Sequence, residues 1–278
     1  MDTRLTVALA QVEGHPDPRR NLHKARALVR EAAERGAHLF VLPEMFMGLP
    51  TPERPPAQLA REEGVFFQRM IASMAQLAGL YIAVGCWEEG PTPERAYNTA
   101  RLFSPTGEIV ASYRKIHLFD ALSVRESNTM AAGDEPPPVV TAAGMKIGLA
   151  ICYDLRFPEI FRYLAAAGAQ LILVPSAWYQ GPVKELHWTT LLQARAIENT
   201  LYVAGCNLVG GSFCGRSAVF DPFGIPLAGA GETEELLFAT ASSGRIEAVR
   251  AKLPALENRR AAVEHLALRA GGRPHPAR

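Results

Sequence analysis

The sequence lacks most of the features that mark specialised functions. Its four cysteines stand apart at 86, 152, 206 and 214, with no CxxC pair, and no HxxxH occurs. Spacing therefore assembles neither a disulfide framework nor a metal-ligand set. Scattered thiols fit a reducing compartment, and the expected location is the cytoplasm. No apolar run approaches the roughly 18 residues of a membrane helix. The opening MDTRLTVALAQVEG has its brief apolar run broken by Gln11 and Glu13, so it reads neither as signal peptide nor as span. Charge of one sign is also missing. With 29 basic and 28 acidic residues the net charge is +1, which gives no electrostatic case for nucleic acid or an anionic membrane. GxGxxG and GxxxxGK[ST] are absent, so nucleotide binding has no support. No cofactor and no metal is expected.

What is present is a globular composition. The 278 residues are 48% hydrophobic and 21% charged, enough for one large α/β domain or two ordinary ones. Leu5 to Val12 reads as a buried strand. Asn21 then caps a helix whose apolar residues Leu22, Ala25, Val29 and Ala32 recur at helical spacing until Gly36 stops it. A strand from Ala37 to Leu42 ends in Pro43-Glu44, and a polar, proline-rich connection occupies 48–63. A helix from Val65 to Ala78 and a strand from Tyr81 to Cys86 follow. Asn98–Phe103 and Ile109–Lys115 read as a hairpin around Ser104-Pro105-Thr106-Gly107. Residues 117–138 look irregular, the kind of long connection that is usually functional or disordered.

From Met145 to Pro158 the chain reads MKIGLAICYDLRFP. The apolar run Ile147–Ile151 stops at Cys152, and Pro158 opens a helix. A cysteine here is often only a small core residue. At the carboxyl end of a strand in an α/β sheet, it also stands where ligands are handled.

The pattern then repeats. Ala33–Phe46 (AERGAHLFVLPEMF) aligns with Ala165–Trp178 (AAAGAQLILVPSAW) at an offset of 132. Further on, LYIAVGC at 80–86 matches LYVAGC at 201–206, and Phe103-Ser-Pro-Thr-Gly matches Phe220-Asp-Pro-Phe-Gly. A helix from Lys184 to Thr200 holds the place of the helix Val65–Ala78. The chain thus reads as two similar halves, each a sheet with helices. If the helices of each half cover one face only, packing the two bare sheet faces together buries them in helix–sheet–sheet–helix layers. A single doubly wound sheet fits the same alternation. We expect one domain over 1–278, with 270–278 a loose tail.

In the repeat, Glu44 and Ser176 are twins, each directly after the proline that ends a strand. A carboxylate, a thiol and, at Lys115, an ammonium therefore all stand at strand ends. Their chemistry is complementary. A thiol with a pKa near 8.5 needs a base or a cation to become a nucleophile. Glu44 can take the proton, and Lys115 can stabilise the oxyanion on an attacked carbonyl. The backbone N–H of Tyr153 offers a second oxyanion donor. Such a set suits attack on amides or nitriles through a thioester. A Cys–His alternative, with His117 or His187 as base, ranks lower because Glu44 and Lys115 already fill the roles.

The strings LPEMF, YRKIHLFD and GLAICYDLRFPE, together with KELHWTTLLQARAIENTLYVAGCN at 184–207 and DPFG at 221–224, resemble the signatures of the nitrilase (carbon-nitrogen hydrolase) superfamily. The strings CYDLRFPE and KELHW are most similar to its Nit branch, which includes ω-amidase. The resemblance implies an αββα sandwich, with Glu44 as general base, Lys115 as oxyanion stabiliser and Cys152 as nucleophile. It also implies that Glu126 is a second active-site glutamate beside Lys115. The implied reaction is hydrolysis of a small ω-amide of a (2-oxo) dicarboxylic acid, with ammonia released. A nitrile, an N-carbamoyl compound or a silent scaffold are the alternatives. Arg125, Arg156 and Arg216 are candidate substrate cations, with an ion pair to a glutamate the other reading for Arg156. Partners are expected to be the small amide and water, together with a second copy of the chain. Ile160, Phe161, Tyr163 and Leu164 offer more apolar area than one sheet contact needs, so a homodimer or larger even assembly is expected.

Overall fold

The computed structural model describes residues 2–260; the expected tail at 270–278 lies outside them. The first half contains β1 (Arg4–Gln11), α1 (Pro18–Glu34), β2 (Leu39–Val41), α2 (Pro56–Ala78), β3 (Tyr81–Glu89), β4 (Ala96–Phe103) and β5 (Ile109–Arg114). The second contains β6 (Val139–Ala142), β7 (Met145–Leu149), α3 (Pro158–Ala166), β8 (Leu171–Ser176), α4 (Lys184–Asn199), β9 (Tyr202–Asn207), β10 (Ala218–Phe220) and β11 (Pro226–Gly229). Then β12 (Glu235–Ser242) and α5 (Ser243–Lys252) complete the described chain.

The strands form two sheets rather than one doubly wound sheet. One has the order β12-β1-β2-β3-β4-β5, with the short strand Met130–Ala131 beside β4; the other has the order β6-β7-β8-β9-β10-β11. The two orders match position for position, which is the repeat made physical. In each sheet a parallel trio, β1-β2-β3 or β7-β8-β9, carries antiparallel neighbours on both sides. The last strand, β12, returns to the first sheet and occupies the place that β6 holds in the second.

Alternation explains the layers. In β1, Leu5, Val7 and Leu9 join one core with Ile147, Leu149, Leu171 and Leu173 of the other sheet. Ala8 and Ala10 face the opposite way and pack with Leu22, Ala25 and Val29 of α1 and Phe67 and Ile71 of α2. Successive side chains on a strand point to opposite faces, and here both faces are buried, so β1 reads as a continuous apolar run. Helices α3 and α4 cover the outer face of the second sheet, with Phe161, Leu164, Trp188 and Leu192 fully buried. The molecule is an αββα sandwich.

Several element ends differ from the sequence reading. The side chain of Asp17, not Asn21, caps α1 by accepting from the Arg19 N–H. Asn21 is buried inside the helix and donates to the carbonyls of His15 and Phe46. Helix α2 begins at Pro56, well before Val65, because proline at the first helical position has φ preset and no N–H to lose. Ile160, Phe161 and Leu164 are spent on the core, leaving Tyr163 exposed on α3; α3 therefore has no surplus apolar face of the expected size.

Candidate active site

Glu44, Lys115 and Cys152 converge where strands of both sheets end. Glu44 follows β2 on the loop that Pro43 starts, passing directly over β3 at Gly85. Lys115 directly follows β5, its N–H held by the Asn98 carbonyl at 2.8 Å. Cys152 opens a 3-10 turn, Cys152–Arg156, at the end of the β7 run, with φ of 44°. A left-handed backbone is strained for a residue with a Cβ and persists only when the surroundings enforce it.

The Lys115 ammonium sits between two carboxylates. It donates to Glu44 Oε1 at 2.9 Å and to Glu126 Oε1 and Oε2 at 3.0 and 2.9 Å. Lys115 is wholly buried and Glu44 is 1% exposed. Asn98 Nδ2 donates to Glu44 Oε1 at 2.7 Å, and the Ala177 N–H to Oε2 at 2.7 Å. Glu126 Oε2 accepts the Phe119 N–H at 2.8 Å. Each carboxylate is thereby aimed by at least one donor besides lysine. Burial opposes the charge on Lys115, but Glu44 and Glu126 more than offset it and hold its pKa well above the ordinary value.

The thiol responds in the opposite sense. Burial first, and then the Glu44 charge, push the Cys152 pKa well up. Lys115 and the nearby backbone N–H of Ala177 pull it down by less. A thiol so placed rests protonated and reacts by handing its proton to a base as it attacks. The Ala177 N–H that donates to Glu44 Oε2 also favours the Cys152 thiolate, so one backbone amide acts on both groups. The Tyr153 N–H lies in the first positions of the 3-10 turn, where amides have no carbonyl partner within the turn.

Behind the turn, Asp154 ties the two halves together. Its Oδ2 accepts from Tyr113 Oη at 2.8 Å and the Ile151 N–H at 2.9 Å. Its Oδ1 lies 2.8 Å from His117 Nδ1. His117 also stacks on Phe157, with ring centroids 3.6 Å apart. His117 thus supports the turn that carries Cys152, and neither His117 nor His187 lines the cavity beside Cys152. His187 lies 3.4 Å from Arg156 Nη2.

Beside Cys152 is a cavity of about 20 Å³, lined by Phe119, Tyr153, Trp178 and Tyr179, with Arg156 and Lys184. Met45, Glu126 and Tyr179 separate it from an outer hollow of about 640 Å³ that Arg125 and the 209–213 hairpin also line. Arg156 makes no salt bridge among the described residues; its guanidinium lies 4.7 Å over the Trp178 ring. Arg216 is elsewhere, exposed and paired with Glu232 at 2.6 Å. The sequence reading missed Asn98, Asp154 and the Ala177 N–H. It also missed Lys184, whose signal would have been a lysine opening an otherwise amphipathic helix. No group of three His, Cys, Asp or Glu residues that could hold a metal occurs among the described residues.

An αββα sandwich whose strand ends gather a thiol, an ammonium and two carboxylates defines a nitrilase-like amidase. The chain belongs to the carbon-nitrogen hydrolase family, whose model matches residues 6–251. A deaminated glutathione amidase of Escherichia coli O157:H7 is 38% identical over 251 residues, covering 89% of this chain and 94% of that protein. The human deaminated glutathione amidase is 37% identical over 274 residues, covering 91% and 82%. A solved nitrilase-superfamily amidase from Nesterenkonia AN1 superposes with a TM-score of 0.83 at 32% identity, covering 94% of this chain and 96% of that one. In another structure of that amidase, the acetamide moiety of fluoroacetamide is covalently attached at the active site cysteine (TM-score 0.82, 32% identity, 94% and 96% coverage). The present chain is an amidase-type enzyme that hydrolyses a C–N bond. Among its described residues no helix is long and apolar enough to cross a membrane.

Proposed function

We propose that the protein hydrolyses a small ω-amide of a (2-oxo) dicarboxylic acid, with Cys152 as nucleophile and Glu44 as base. The observation that carries the reading is the ammonium of Lys115 held between the carboxylates of Glu44 and Glu126 beside the buried Cys152 thiol. The Cys152 sulfur attacks the amide carbonyl carbon as its proton passes to Glu44. The oxyanion that develops is met by the Lys115 ammonium and the Tyr153 N–H. Collapse breaks the C–N bond, and the leaving amine takes the proton from Glu44. Water then attacks the thioester, with Glu44 again accepting a proton; the C–S bond breaks, Glu44 returns the proton to the Cys152 sulfur, and the acid departs. Glu126 holds Lys115 in position, and two of its contacts can persist while the third proton of the ammonium turns to the oxyanion. Arg156, at the wall of the cavity, is the candidate for the substrate carboxylate, with Arg125 further out.

The chemistry of the named relatives supports this choice of substrate class. The test is an ammonia- and amine-release screen over 2-oxoglutaramate, succinamate and deaminated glutathione, with nitriles and N-carbamoyl compounds alongside. Cys152→Ala removes one buried sulfur and is expected to fold and to lose all turnover. Mass spectrometry of briefly incubated wild type is expected to catch an acyl group on Cys152. More than a few per cent residual activity in the alanine variant would sink the assignment.

A further inference from the structure

Lys184 is the first residue of α4 and only 9% exposed. Its position is costly on several counts. Burial and the nearby charge of Arg156 lower its pKa. It stands at a helix N-terminus, where the aligned peptide dipoles disfavour a cation. The residue before it, Val183, is held at φ of 55°, a left-handed conformation that is a genuine outlier for a β-branched side chain. The backbone is nevertheless pinned there. The Lys184 N–H donates to the Gly181 carbonyl at 2.9 Å, and the Lys184 carbonyl accepts the Trp178 indole N–H at 3.0 Å.

No carboxylate lies within ion-pair distance of its ammonium among the described residues. The neighbouring Glu185 turns back to accept the Gly181 N–H. What the ammonium meets instead is aromatic, with the Phe119 centroid at 5.0 Å and the Trp178 centroid at 5.5 Å. Arg156 lies over the same Trp178 ring at 4.7 Å. Two cations thus share one indole at the wall of the cavity that holds Cys152, and neither has an acidic partner among the described residues. Such an arrangement leaves a counter-charge to be supplied by what binds there.

We propose that Lys184 is a specificity-determining residue of this enzyme: together with Arg156 it receives the carboxylate of the acyl group whose amide Cys152 attacks. The inference rests on the amidase reading of the same site. A bound carboxylate gives the ammonium the charge-assisted hydrogen bond it lacks, beside the rings of Phe119 and Trp178.

The test compares succinamate with butanamide, its uncharged analogue, in wild type, Lys184→Met and Lys184→Arg, alongside calorimetric binding of succinate to each. The ratio of kcat/KM for succinamate over butanamide is expected to fall about 10²-fold in Lys184→Met, chiefly through KM, the scale of one lost charge-assisted contact. Lys184→Arg is expected to stay within a few-fold of wild type, and succinate binding to weaken in parallel in the methionine variant. Equal loss on both substrates, or an unchanged ratio in a folded Lys184→Met protein, would overturn the proposal. Wild type inactive on both amides would count against the amidase reading, and succinate binding then decides this one separately. Equal succinate affinity in wild type and Lys184→Met, or none in wild type, overturns it.

Discussion

Gly85 lies directly beneath Glu44: a Cβ built on Gly85 would stand 2.5 Å from Glu44 Cα and 2.7 Å from the Pro43 carbonyl oxygen. The loop is stitched to that point of β3, with the Gly85 N–H donating to the Pro43 carbonyl at 3.1 Å and the Met47 N–H to the Gly85 carbonyl at 3.3 Å. Glycine inside a strand weakens it, and its usual reason is a close backbone approach. Here the close approach sets the height of Glu44 over the sheet.

Gly85→Ala is therefore expected to displace the Glu44 backbone, since neither contact atom belongs to a flexible side chain. Misplacing a catalytic group by about 1 Å costs on the order of 10²-fold in rate. Assays of kcat alongside thermal unfolding would check this. Wild-type kcat in a folded variant would show that the loop adjusts without moving the carboxylate.

Glu126 belongs to an irregular stretch, but its two oxygens both accept hydrogen bonds from Lys115. Glu126→Gln keeps the shape and removes one acceptor and the charge. It is expected to fold normally and to lose on the order of 10²-fold in kcat through lost alignment. A surface loop charge would change activity by less than about twofold. A near-wild-type kcat/KM would leave a three-residue site.

Glu88 supplies a pH-dependent contribution away from the site. Burial raises its pKa, but Arg114, which hydrogen-bonds it, and Arg101 at 3.3 Å outweigh that and leave the pKa lowered. A carboxylate depressed in the folded state adds stability that is full above its unfolded value of about 4.3. That stability is lost as the pH falls through the lower folded value. The stability difference between wild type and Glu88→Gln is expected to be largest near neutral pH and to shrink below pH ~4. Urea unfolding across that range would measure it; a difference independent of pH would show that the arginines contribute nothing through charge.

The exposed apolar surface differs from the one the sequence suggested for self-association. Tyr163 on α3, Ile197 on α4, and Phe223 and Ile225 on the adjoining turn remain exposed. That turn packs on Ile197, close enough that a Cβ at Gly224 would meet Ile197 Cγ1 at 2.4 Å. We expect this patch to bury itself against a second copy, and Ile197→Glu to shift a dimer toward the 30.2 kDa monomer in light scattering. A wild-type monomer at micromolar concentration would refute it.

Much of this molecule is written locally. Apolar runs ending at Pro43 and Cys152 marked the strands and their functional ends, and the matched halves foreshadowed two sheets of matching strand order. Glu44, Lys115 and Cys152 could be picked out because each stands where an apolar run stops, a feature visible within about ten residues. Glu126 could not; only its likeness to a known signature singled it out, since a glutamate in an irregular polar stretch carries no periodic signal. Packing decided the rest. Asn98 and the Ala177 N–H aim Glu44 across 54 and 133 residues of chain, and Asp154 reaches Tyr113 across 41. Hydrophobic periodicity records which face of an element is buried, but not which element it meets. That choice belongs to the tertiary structure, and it turned Lys184 inward beside Cys152 while leaving Arg216, an equally plausible cation in the sequence, on the surface with Glu232.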